Sequence, residues 1–208
     1  MKRGVLVPAT VLCLALLSGC GAARPSKFYQ LTIPEERIAT ENPAAYPVTL
    51  LLGPITTSHL YRDDHIVYTS SGQAMGTYEY ARWAEPPSEM IGDLLLRQLR
   101  SSRRYHHVYS RRSDVRGDYL LRGQLYDFCE VSGKGLVARV AFEFDLQDSK
   151  TGVTVWTASY SHDEPAAANE VSAVVAAMDR NVQNGLGEIS RGLEQYFGSQ
   201  PHDPPGTH

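Results

Sequence analysis

The residue best placed to do chemistry is Cys20, the last of Leu17-Ser18-Gly19-Cys20. A thiol behind small residues can accept a diacylglycerol group, and the amine freed by cleavage just before it can accept another acyl chain. The preceding chain fits this: Met1-Lys2-Arg3 is basic and residues 5–17 form a short apolar run, the layout of a secretory signal. The run is too short for a transmembrane helix of about 20 residues. An ordinary signal peptide with a chance cysteine is the alternative. The position, flanks and spacing favour a lipobox, with residues 1–19 removed and Cys20 carrying palmitate-type chains. Two lipid signals already hold a protein on a membrane. Residues 20–27 read as the lipidated tether, and Gly21, where an inner-membrane retention signal has Asp, favours the outer membrane by analogy.

Other chemistry is hard to find. The sequence has no Gly-x-Ser-x-Gly elbow, P-loop or His-Glu-x-x-His. Gly185-x-Gly187 falls inside an expected helix, which excludes a dinucleotide loop. His106 and His107 are adjacent, and in a strand they would point to opposite faces and not chelate together. Cys129 has no Cys or His near it and reads as a buried, inert thiol. Glu79 and Glu85 bracket Arg82-Trp83 and are expected to pair with the arginine. No metal site, cofactor or catalytic residue is expected.

Composition narrows the function further. The chain has 208 residues, formal charge −3 and three cysteines. Losing Lys2 and Arg3 with the signal makes the balance more acidic, which argues against nucleic acid. Arg100, Arg103 and Arg104 read as a solvated helix end that complements the dipole.

The elements that must position these residues follow from periodicity. Residues 28–32 suggest a strand, residues 33–47 a connecting loop, and residues 48–52 a buried strand ended by Gly53-Pro54. Residues 66–69 and 77–80 are short strands joined by a turn at 70–73. Pro86-Pro87-Ser88 should start a helix capped by Ser88, with Ile91, Leu94, Leu95 and Leu99 on one face. Residues 105–110 leave it as a strand. Residues 118–160 form an antiparallel meander, with Val140, Phe142, Phe144 and Leu146 alternating against Arg139, Glu143 and Asp145. A long helix over about 170–197 carries Val174, Met178, Val182, Leu186, Ile189 and Leu193. Its Gly185, Gly187 and Gly192 mark a kink or a close approach. Residues 198–208 should be a disordered tail. The expected fold is α+β: a mostly antiparallel sheet with two main helices packed on one face, the domain spanning residues 28–197.

Residues 78–86, Tyr-Glu-Tyr-Ala-Arg-Trp-Ala-Glu-Pro, are bulkier and more charged than a turn requires. Trp83 can be a core plug with Arg82 and Glu85 paired beside it, or the stretch can be a partner surface. The lipobox, Phe28-Tyr29-x-Leu31, Leu52-Gly53-Pro54-Ile55, Ile66-Val67, Arg82-Trp83-Ala84-Glu85-Pro86 and Asp118-Tyr119-x-Leu121 occur in an order that resembles ABC-type transport auxiliary lipoproteins, relatives of the paraquat-inducible protein C group. The likeness covers about residues 15–197. It implies a periplasm-facing lipoprotein of the outer membrane that accompanies a permease, an ATPase and an MCE-domain protein in moving lipids between membranes. A lipid ligand and a homo-oligomer are compatible with that role. The family often has Tyr-Leu-Asp-Arg-Pro-Gln before its Ile-Val strand, whereas this chain has Leu60-Tyr61-Arg62-Asp63-Asp64-His65, which points to altered partner recognition.

The expected function is therefore non-catalytic docking or lipid handling in an ABC/MCE-type system. Arg82, Trp83 and Glu85 are the first candidates for the partner surface, and Tyr61 and Arg62 the second. A structural lipoprotein of an envelope or secretion assembly is the rival.

Overall fold

The computed structural model describes residues 25–33, 45–70, 73–111 and 114–200. The expected signal, Cys20, Gly21, most of the expected tether, residues 34–44, Ser71-Gly72 and the expected tail from 201 lie outside the described residues. No described helix is long and apolar enough to cross a membrane.

Among the described residues, four strands and a helix are followed by four more strands and a second helix. They are β1 (Lys27–Tyr29), β2 (Tyr46–Thr57), β3 (His65–Thr69), β4 (Met75–Trp83), α1 (Pro87–Ser101), β5 (Tyr105–Ser110), β6 (Tyr119–Ser132), β7 (Leu136–Asp148), β8 (Thr154–Pro165) and α2 (Val171–Ser199). All strands belong to one sheet, which does not close into a barrel. Most of its paired residues lie in the antiparallel β6–β7 and β7–β8 ladders. The expected α+β class and the meander are both present.

The meander forms because β7 alternates, interrupted only at the small, buried Ala141. Val140, Phe142, Phe144 and Leu146 are buried under the helices, while Arg139, Glu143 and Asp145 are only half-buried on the other face. On the far edge of β6, two strands share one long neighbour. β2 runs parallel to Tyr119–Leu125 and β3 runs parallel to Cys129–Val131. A short 3-10 turn, His59–Tyr61, lies between them. β5 flanks β2 in parallel, β4 flanks β3 antiparallel, and β1 lies parallel on β4. These parallel pairings join segments far apart in sequence, so no local pattern announced them.

Several expected boundaries move. β2 does not stop at Gly53-Pro54. It slips register between Leu52 and Ile55 and pairs again at Ile55↔Gly123. Proline lacks a donor and is tolerated at such an irregularity. β4 extends to Trp83, so the Arg-Trp pair closes a strand instead of preceding a helix. Pro86, not Ser88, occupies the cap of α1 without a side-chain bond, and Pro87 takes the first turn. Its fixed φ and missing N–H suit that position, and the amides of Glu89 and Met90 both donate to the Pro86 carbonyl. α2 continues to Ser199, into the expected tail.

Both helices lie on the same face and touch through Gln98, whose Nε2 donates to Ser190 Oγ at 3.0 Å and the Leu186 carbonyl at 3.4 Å. α2 is helical from end to end, and Gly185 marks a close approach. A Cβ there would stand 2.6 Å from the Phe142 ring and 2.7 Å from the Tyr160 ring. Asn181 is fully buried one turn earlier. Its amide donates to the carbonyls of Ala138 and His162, and its oxygen accepts the Tyr160 hydroxyl at 2.7 Å.

Candidate functional site

The Arg-Trp-Ala-Glu-Pro segment is held by both neighbouring strands. The Trp83 amide donates to the Asp64 carbonyl and the Ala84 amide to the Tyr29 carbonyl, each at 2.7 Å. In register, Arg82 stands opposite His65 on β3 and Phe28 on β1. Successive residues of a strand point to opposite faces. Trp83 therefore turns into the core, 1 % exposed, against Phe128 at 5.2 Å between ring centroids. Arg82 remains half-buried on the outer side, and Glu85 is exposed.

The indole is thus a core plug, one of the two readings its sequence context allowed, and its ring is almost wholly covered. Its Nε1 has no hydrogen-bond partner among the described residues. Tyr61 is also inside, 3 % exposed. It seats the 3-10 turn on the sheet against Cys129, with which it shares a hydrogen bond, and burial raises its hydroxyl above the ordinary range. Burial likewise raises the Cys129 thiol, which is free and buried. Of the five candidates, Arg62, Arg82 and Glu85 present charge at the surface, while Tyr61 and Trp83 fix the backbone beneath them.

Arg82 does not pair with Glu79 or Glu85. Its Nη1 donates to Asp64 Oδ1 at 2.9 Å. Beside it, His65 Nδ1 lies 2.9 Å from Asp63 Oδ1, and this hydrogen bond holds the Asp63 carboxyl below the usual carboxylate range. Asp63, Asp64 and His65 bring ligand atoms within 4.8 Å of one another. The Arg82 guanidinium already occupies one of those oxygens and opposes a second cation, so the arrangement is an ion-pair network. The loop that departs from the family pattern is therefore the loop that supplies the partner of Arg82. Spacing along the chain could not show this, because the contact spans 18 residues.

The other sequence candidates sit elsewhere. Arg100 Nε donates to the Val108 carbonyl at 2.8 Å and covers part of the β5 edge, and Arg104 reaches Glu194 at 3.6 Å. His106 and His107 do not splay apart as expected. Both are exposed and their ring centroids lie 4.1 Å apart. Around Glu85 the surface opens into a cleft of about 590 Å³ between α1 and the ends of β2 and β5.

With this geometry in view, comparison with known proteins gives a consistent class. The family model described as ABC-type transport auxiliary lipoprotein component matches residues 29–190. The chain belongs to that family, which associates it with an ABC-type transport system and with lipoproteins of the cell envelope. Its fold is similar to a DUF330-family protein of Xanthomonas campestris, with 21% identity, 83% of this chain and 96% of that one covered, and a TM-score of 0.69. It is also similar to the hypothetical protein CT253 of Chlamydia trachomatis, with 8% identity, coverage of 74% and 99%, and a TM-score of 0.53. At such identities the likeness is one of fold. Comparison with curated proteins gives no significant match.

Proposed function

We propose that this protein is the non-catalytic docking component of an ABC/MCE-type lipid transport system, anchored in the outer membrane through acylated Cys20 and facing the periplasm. The observation that carries the reading is the seat at the end of β4. Arg62, Arg82 and Glu85 stand at the surface on a backbone held rigid by the buried Tyr61 and Trp83. A preorganised charged surface loses little entropy when a partner binds, and it sets orientation and specificity. Gly21 in place of an aspartate supports the outer membrane. ATP hydrolysis would occur in another protein of the system, and this chain would fix the far end of the transport path.

Two measurements test the reading. Palmitate labelling of the wild type should vanish in Cys20→Ser, and labelling that persists sinks the anchor. Arg62→Glu should weaken capture of an MCE-domain protein by about tenfold, equivalent to ~1.4 kcal/mol, with an unchanged melting temperature. Undiminished capture removes the seat from the interface.

A further inference from the structure

The cleft beside Glu85 combines three independent features. The first is an open sheet edge. β5 accompanies β2 only to Leu52↔Ser110, and the next backbone bond runs from the Arg111 amide to the Leu52 carbonyl at 2.8 Å. β2 itself continues to Thr57. From Gly53 onward, no strand among the described residues pairs with that side of β2.

The second feature is charge. Glu85, Glu89 and Asp93 follow one another at intervals of four along the wall formed by α1 and its approach, and all three are exposed. Residues so spaced on a helix share a face. None of them forms an ion pair among the described residues. Across the cleft, among the described residues that line it, Arg111 is the one cation. The helix dipole accounts for Glu89 in the first turn, but Asp93 lies beyond that turn.

The third feature is room over an apolar floor. A Cβ on Gly92 would meet only Ile55 Cδ1, at 3.8 Å. Leu52 and Ile55 line the base, each showing only its outermost part, 6 % and 8 % exposed.

We propose that this cleft is the docking groove for an extended segment of a partner protein that carries a lysine or arginine next to an apolar side chain. The segment lies along the open edge of β2, rests its apolar side chain over Leu52 and Ile55, and places its cation between Glu89 and Asp93. Strand addition of this kind takes affinity from main-chain hydrogen bonds, to which Pro54 contributes a carbonyl but no donor, and specificity from pockets for alternate side chains. The inference rests on the docking reading above, for which it supplies a second surface and the chemistry of the occupant.

The test uses the full mature protein in detergent. One probe is a short peptide alternating valine with lysine and arginine, and the other is its counterpart with glutamate at the charged positions. Calorimetry should show binding of the basic peptide alone. The double variant Glu89→Lys/Asp93→Lys should lose that binding by about tenfold or more and keep its melting temperature. Gly92→Leu, which fills the cleft without changing charge, should lose it equally. Equal binding of the two peptides, binding of neither, or a basic peptide indifferent to either variant overturns the groove.

Capture of an MCE-domain protein separates the two readings. Capture that survives Glu89→Lys/Asp93→Lys but fails in Arg62→Glu overturns the groove as the partner's site and leaves the docking role intact. A wild type that binds the basic peptide but captures no MCE-domain protein overturns the docking role and leaves the groove standing.

Discussion

Trp83 shows how a residue in a charged stretch can itself belong to the core. The indole is almost completely buried against Phe128 while its neighbours Arg82 and Glu85 carry charge outside. Trp83→Ala should cost about 3–5 kcal/mol in denaturant unfolding, the usual range for deleting a large buried aromatic side chain. Trp83→Phe should cost clearly less, because the Nε1 donor it removes has no partner. Equal costs would show that the indole nitrogen contributes. Gly185 and Gly187 test packing at the same scale. Alanine at 185 collides with Phe142 and Tyr160 and should destabilise by about 1–3 kcal/mol. At 187 nothing lies within 4 Å of a new Cβ, so alanine should stabilise by up to about 1 kcal/mol. The identities of these residues were evident in sequence, but their orientation was not. The pairing of β3 with β4 slips between His65 and Val67, and a slip resets which residues face inward.

At the scale of elements, the meander and α2 were the most legible parts. Alternation along β7 and helical spacing along α2 are local signals, and burial follows both. Asn181 also fell on the α2 stripe, three residues after Met178 and one before Val182. A polar residue there is a sign that the helix ties itself to something, and the structure shows the tie to β7 and β8. On the opposite face Arg139 and Asp163 form a two-pronged pair, with both contacts at 2.7 Å. The hydrogen bonds from Arg139 hold the Asp163 carboxyl below its ordinary range. A carboxyl whose pKa is lowered by folding adds stability above its unfolded value of about 3.9, and that stability is lost as pH falls through the folded value. Both side chains are more than a third exposed, so solvent screening limits the gain to about 1 kcal/mol or less. Asp163→Asn should therefore lower stability at pH 7 and match the wild type at the acid end of the titration. An equal deficit at both ends would assign the effect to packing instead.

For the whole molecule, sequence and structure agree on class and diverge on connectivity. The α+β arrangement with both helices on one face was readable, because each element declares its own buried side. The order of strands was not, since β2 and β3 take their places beside β6 across more than sixty residues, as the pairing Leu50↔Tyr119 shows. The candidate surface was half legible: its residues form a compact motif, yet Asp64 and the open edge of β2 come from segments that only the fold brings alongside.

The shared neighbour of β2 and β3 bears on the order in which the chain can acquire structure. β6 is the common partner of β2, β3 and β7. Until residues 119–132 are available, the amino-terminal strands have only β4 and β5 to lean on, and these are short ladders. Long-range pairings are slow because loop closure comes before their contacts form. The topology therefore predicts folding organised from the carboxyl-terminal half, with the meander and α2 as the template. A chain threaded through a membrane amino terminus first would stay pliable until most of it had crossed.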